Sequence, residues 1–243
     1  MNEVADARGI YTIIFAGELF RPRAALMLMT AQRRIAIVCV ALGLCGASYA
    51  GEIPLSDAEA RLVARREVLV RATLDASHRR GTVRAAVLID APPSVVFHAM
   101  THCADAFEFV PHLKACRVRD SAPNASWGIV EHEIDFGWYT PRIRWTFRAD
   151  FVPDKSIVFR QISGDFKKNE GAWEFEAGPN GETTLVKYQA AIDPPAFIPN
   201  WLARTTYKRE LPQMLDDLRQ LCEERHRASS PGKLAPAQPP GGR

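Results

Sequence analysis

Residues 142–152 read RIRWTFRADFV, and this stretch decides the fold. Ile143, Trp145, Phe147, Ala149 and Phe151 alternate strictly with Arg142, Arg144, Thr146, Arg148 and Asp150. Successive side chains on a strand point to opposite faces, so this period of two makes one face apolar and the other polar. A strand apolar on one side only belongs to an antiparallel sheet that is packed on one face and wet on the other.

The same alternation recurs on both sides of that stretch. SWGIVEHEIDF, residues 126–136, sets Val130, His132, Ile134 and Phe136 against Glu131, Glu133 and Asp135. EGAWEFEA, residues 170–177, sets Gly171, Trp173 and Phe175 against Glu170, Glu174 and Glu176. Further strands are read at 82–90, 113–120, 156–163 and 183–192, about seven in all, separated by turn residues such as Pro153-Asp154 and Gly178-Pro179-Asn180-Gly181. Asn-Gly between two alternating runs is a strong hairpin signal. After the first strand, Pro92-Pro93 suits the start of a helix, with Val96, Phe97 and Met100 turned inward. A second short helix over 104–109 stops at Pro111. The chain closes with a long helix at about 199–225, whose apolar face holds Trp201, Leu202, Leu211, Met214, Leu215, Leu218 and Leu221. Pro212 inside it removes one ladder hydrogen bond and predicts a kink.

This order predicts an α+β helix-grip fold, a curved antiparallel sheet of about seven strands wrapped around a long C-terminal helix, with two short helices after the first strand. The concave apolar face of such a sheet must be covered. Sheet and helix are both curved, so the space between them need not fill, and a cavity follows.

The flanks read differently. Residues 1–50 form an N-terminal extension and signal peptide: Arg33-Arg34 ahead of an apolar run of 12 residues, Ile35 to Gly46, with small residues at −3 and −1 of a cleavage site after Ala50. That run falls short of the roughly 20 apolar residues of a membrane-spanning helix. Met27 or Met29 suits the start of such a signal better than Met1. Residues 51–80 read as a helical lead-in, because 55–77 carry an apolar stripe of Leu62, Val63, Val70 and Leu74 and a Ser56/Glu59 capping box. Residues 81–226 form the ligand-binding domain, and 227–243 are a Ser/Pro/Gly/Ala tail with nothing to bury. The expected location is periplasmic or secreted.

An oxidising compartment permits a bridge between Cys103 and Cys116; the alternative is that these and Cys222 are small buried hydrophobes. No metal site and no cofactor are expected, since the chain has no Cys-x-x-Cys and its six His are scattered. The whole chain has 31 basic and 28 acidic residues; without the five Arg and three acids of 1–50, 26 face 25. So neutral a body gives no electrostatic case for nucleic acid.

The chain resembles the START-like superfamily, in particular its polyketide-cyclase and coenzyme Q-binding branch, over about residues 82–222. The resemblance rests on VLIDAPPSVVFHAM (87–100), FVPHLKACRV (109–118), GDFKKNEGAWEFEAGPNGETTLVKYQAAIDP (164–194) and PAFIPNWLARTTYKRELPQMLDDLRQLC (195–222). It implies a ligand pocket rather than a reaction, in a family that binds lipids, quinones, sterols or polyketides and includes a minority of enzymes. Under that resemblance the expected ligand-binding residues are His132, Ile134, Trp145, Phe147, Trp173, Phe175, Tyr188, Trp201 and Met214, with no catalytic residue assigned. The expected partner is a hydrophobic small molecule or lipid, with transient membrane contact through the arginines of 142–148 or the Phe197–Trp201 segment. A cyclase using the same cavity and a protein-interaction module stand as alternatives.

Overall fold

The computed structural model describes residues 52–76, 80–138 and 140–229. The signal read in 1–50 and its cleavage site lie outside the described residues, as does the tail beyond 229. The order is α1 (Asp57–Ala64), β1 (Leu69–Leu74), β2 (Gly81–Ile89), α2 (Pro93–Thr101), α3 (Cys103–Phe109), β3 (Leu113–Ser121), β4 (Trp127–Ile134), β5 (Ile143–Val152), β6 (Ser156–Gly164), β7 (Lys168–Ala177) and β8 (Thr184–Asp193). A closing helix follows, made of α4 (Asn200–Thr205), a π-helical turn (Thr206–Glu210) and α5 (Leu211–Ser229). It runs four residues past the expected end at 225, through Arg227 and into what read as tail.

All eight strands form one antiparallel sheet in the order β1-β2-β8-β7-β6-β5-β4-β3. Strands β3 to β8 are a simple meander, and β2 closes beside β8 through nine residue pairs from Gly81↔Ile192 to Ile89↔Thr184. The helix-grip expectation therefore holds, with eight strands rather than about seven.

The extra strand comes from the lead-in. The run 55–77 is not one helix: α1 stops at Ala64, and Arg66 turns the chain with φ 66. Beyond that turn Val68, Val70 and Thr73 bring β-branched side chains that favour a pleated strand over a helix. β1 then pairs with β2 from Leu69↔Ala86 to Leu74↔Gly81. The capping box does form: Ser56 Oγ accepts from the Glu59 amide at 3.4 Å, and the Glu59 carboxylate accepts from the Ser56 amide at 2.9 Å. α1 lies on the outer face of the sheet, where Val63 packs with Leu69 and Ala86.

On the inner face, Val83, Val87, Ile89, Val186 and Ala190 meet Leu215, Leu218 and Cys222 of α5, all of them buried. Each large apolar side chain so buried contributes about 1.5–3 kcal/mol. Cys222 is a free thiol whose pKa burial pushes up to about 12, so it serves as packing rather than as a reactive group.

The outer face is held by charge. Cross-strand register sets Glu133 beside Arg144, Arg117 beside Glu131 and Glu174 beside Lys187. Glu133 is buried and accepts from Arg144 at 2.7 Å and Arg142 at 2.8 Å, which holds its carboxyl below the usual carboxylate range. Arg148 bonds Asp150 at 2.7 Å and lies 4.6 Å over the Trp127 ring. The arginines of β5 are therefore engaged with their own sheet.

The Cys103–Cys116 bridge is formed, with Cα atoms 5.3 Å apart, and ties the start of α3 to the edge strand β3. A loop of this length predicts about 3 kcal/mol of stabilisation from the constrained unfolded chain. Urea unfolding of the Cys103→Ser/Cys116→Ser variant should therefore show a clearly lower midpoint than the oxidised protein. Equal midpoints would show that the tether carries no stability.

Gly171 marks a close approach of β7 to β8. A Cβ there would lie 2.2 Å from the Gln189 carbonyl oxygen and 2.8 Å from Ala190 Cα. The β8 backbone it would meet cannot yield, so Gly171→Ala should destabilise by about 1–3 kcal/mol. An unchanged thermal midpoint would contradict this.

Candidate ligand cavity

The strand that decided the fold also builds the site. Trp145, Phe147, Ala149 and Phe151 all line a cavity of about 310 Å³ on the concave face of the sheet. Val130 and His132 extend the wall on β4, Ile157 and Phe159 on β6, Asn169 and Trp173 on β7, and Tyr188 and Ile192 on β8. Helices complete it: Met100 and Thr101 of α2, Cys103, Ala106 and Phe109 of α3, His102 between them, and Thr206, Tyr207, Leu211 and Met214 of the closing helix. Ligand pockets run roughly 300–1,000 Å³ and are mainly apolar with few polar groups. This one fits at the small end of that range.

Aromatic rings set its shape. Trp173 lies 4.1 Å from Tyr188 by ring centroids, and Phe159 stacks on Tyr188 at 6.3 Å with planes 8° apart. Trp145 meets Phe166 edge-on at 5.3 Å. Gln161 Nε2 donates to the Phe166 carbonyl at 2.7 Å, pinning the loop between β6 and β7 that carries that ring. Offset and edge-to-face pairs of this kind add stabilisation beyond their buried area.

His132 is the polar centre of the wall. Its ring meets Trp145 at 5.3 Å and Phe147 at 5.1 Å, both edge-on. Burial away from water lowers its pKa to about 4, so the imidazole is neutral at neutral pH. A neutral imidazole offers one donor and one acceptor. Among the described residues neither ring nitrogen of His132 has a hydrogen-bond partner. Burial pushes the Tyr188 hydroxyl pKa upward, so it remains a protonated donor. Among the described residues no Asp, Glu, Lys or Arg lines the cavity.

Of the residues expected at the site, His132, Trp145, Phe147, Trp173, Tyr188 and Met214 line the cavity. Ile134, Phe175 and Trp201 stand outside the wall. Alternation fixes a side chain's face but not its depth along the strand. Phe175 lies on the inward face yet is covered by Phe97 of α2, with ring centroids 6.1 Å apart. Ile134, last in β4 and paired to Leu113 and Ile143, packs into the core beyond the cavity. Trp201 is 54% exposed because the first turn of the closing helix buries Leu202 and Ala203 and leaves Trp201 on the outward side.

The contributions of Thr206 and Tyr207 depend on a feature that strand alternation cannot reveal. The Leu211 amide donates to the Thr206 carbonyl, an i to i−5 bond. This π turn stands directly ahead of Pro212, where a kink was expected, and carries the helix past a residue that has no N–H to give. Its wide turn holds Thr206, Tyr207 and Leu211 together at the cavity.

Comparison with known proteins agrees with this architecture. A profile of the family described as polyketide cyclase / dehydrase and lipid transport matches residues 89–219. A search of curated proteins returned no match. Among solved structures, the Zhui aromatase/cyclase from Streptomyces sp. R1128 is 17% identical with a TM-score of 0.52, over 62% of this chain and 98% of that one. The STAR-related lipid transfer protein (fragment 25–204) from Xanthomonas axonopodis is 18% identical with a TM-score of 0.51, over 64% of this chain and 92% of that one. Likeness at such identity speaks for the fold alone. The profile match spans more than half of the 243 residues, and the chain belongs to the polyketide cyclase / dehydrase and lipid transport family.

Proposed function

We propose that this chain is an exported, non-catalytic binding protein that holds an uncharged hydrophobic ligand in the cavity. The ligand class is a lipid alcohol, sterol, quinone or polyketide-like molecule carrying a hydroxyl or carbonyl oxygen. The observation that carries the reading is the wall itself: aromatic and aliphatic, without a charged side chain, and centred on a neutral imidazole. Apolar burial at about 25 cal/mol per Å² supplies the driving force. A buried carboxylate would find no cation to pair with there, and an unpaired buried charge is costly. The lipid-transport description of the family and the name of the lipid-transfer neighbour support the same reading.

Catalysis is less well served. General acid–base work by His132 would need a group to orient its ring. The nearest carboxylates in sequence, Glu131 and Glu133, lie on the outer face, where Arg117, Arg119, Arg142 and Arg144 hold them. A cyclase would have to work with uncharged groups of the wall such as His132, Tyr188 and Tyr207, without a carboxylate beside His132.

Export is supported by the signal read in 1–50 and by the Cys103–Cys116 bridge, since disulfides persist in oxidising compartments. Three exposed aromatic rings, Trp138 at 96%, Trp201 at 54% and Phe197 at 44%, would touch a membrane transiently while a lipid is collected or released.

Ligand binding and N-terminal sequencing test the reading. Competition binding should favour a long-chain alcohol over the carboxylate of equal chain length at pH 7.5. His132→Phe should weaken alcohol binding by about 2–12-fold, the range for one hydrogen bond, without lowering the thermal midpoint. Because the ring is neutral above a pKa of about 4, wild-type affinity should stay level from pH 8 to pH 5 and change only as pH falls toward 4. Equal binding of the carboxylate, or a His132→Phe variant that loses stability while binding normally, would sink the proposal. For export, N-terminal sequencing of protein recovered outside the cytoplasm should begin at Gly51; an intact N-terminus retained inside the cell would overturn that part.

A further inference from the structure

His98 and His102 stand one helical turn apart at the end of α2, where the His102 amide donates to the His98 carbonyl, and the start of α3 brings Asp105 beside them. Their ligand-type atoms all lie within 4.8 Å of one another. The two imidazole rings are stacked, with centroids 3.8 Å apart and planes 16° apart. His98 Nδ1 is 3.6 Å from Asp105 Oδ2. In a tetrahedral zinc site, with metal–ligand distances of about 2.0–2.2 Å, neighbouring donor atoms stand about 3.3 Å apart. The stacked rings must turn out of their parallel arrangement before a nitrogen of each can point at one ion, and the exposure of His98 leaves room for that turn.

The surroundings prepare these groups as ligands. His102 Nδ1 is 3.2 Å from the His98 carbonyl oxygen. A carbonyl only accepts, so Nδ1 carries the proton and Nε2 is left with its lone pair, the arrangement metal-binding histidines use. Arg225 forks both oxygens of Asp105, at 2.5 and 2.7 Å, and fixes the carboxylate in place. His98 is 58% exposed, which leaves the cluster open to an ion from solvent.

The geometry points to a binding site for a divalent transition-metal ion of the zinc class, formed by His98, His102 and Asp105, with a fourth position open to water or an exogenous donor. Two imidazoles and one carboxylate suit such an ion and are poor ligands for calcium or magnesium, which prefer all-oxygen shells. Arg225 offsets part of the carboxylate charge, so the affinity is moderate rather than that of a structural zinc site. His102 also belongs to the cavity wall. An ion held there stands at the border of the ligand cavity, although the site does not depend on what the cavity holds.

Calorimetric titration of Zn²⁺ into the purified protein, disulfide intact, tests the site. One ion per chain is expected, and His98→Gln or His102→Gln should each weaken it at least about tenfold while leaving the metal-free melting curve unchanged. His226→Gln, on a histidine paired instead with Glu182 at 3.1 Å, should leave the affinity as it is. The site is overturned if the protein binds Zn²⁺ no more tightly than about 1 mM, or if the His98→Gln/His102→Gln double variant keeps wild-type affinity.

Discussion

The sheet has one concave apolar face, and the chain has little with which to cover it. Eight antiparallel strands turn Val83, Val87, Phe147, Phe151, Trp173 and Tyr188 to the same side. Such a face cannot be left in water, yet among the described residues one closing helix and two short ones are what lie over it. Where α5 sits close, the space fills with Leu215, Leu218 and Cys222. Where the helix passes Thr206 to Met214, it does not fill, and the residue is the cavity. The pocket is thus a consequence of covering a wide curved surface with a narrow rod. The outer-face ion pairs, the Cys103–Cys116 tether and the Gly171 approach all serve to keep that surface in register.

Chemistry follows from the same constraint. A wall built from the inward positions of alternating strands inherits their composition, so it is aromatic and uncharged, and the acids and arginines of those strands pair outside. His132 and Asn169 are exceptions, polar residues at inward positions. Desolvation keeps the imidazole neutral, able to give one hydrogen bond and take one, as the proposed role requires.

Much of this was legible from the residues. Strict alternation in 142–152 placed Trp145, Phe147, Ala149 and Phe151 on one face, and all four line the cavity. The hairpins, the two short helices and the long closing helix fell close to their expected places. What escaped was information that lives in three dimensions. The Val68–Thr73 segment became a strand because β2 offered an unpaired edge, although its apolar spacing also suited a helix. Phe175 and Ile134 have the right face but lie too far along their strands. Thr206 and Tyr207 reach the wall through a π turn that periodicity of 3.6 does not anticipate. The histidines look scattered along the chain, and the start of α3 is what brings Asp105 beside His98 and His102.

The central claim is that the cavity exists to be occupied. Native mass spectrometry of the protein as it comes from its own host, followed by organic extraction, tests this most directly. The account predicts one neutral hydrophobic molecule per chain, at near-unit occupancy, with an oxygen able to meet His132. An empty protein that also fails to take up alcohols, sterols, quinones and polyketides would contradict it and leave the space as a by-product of packing.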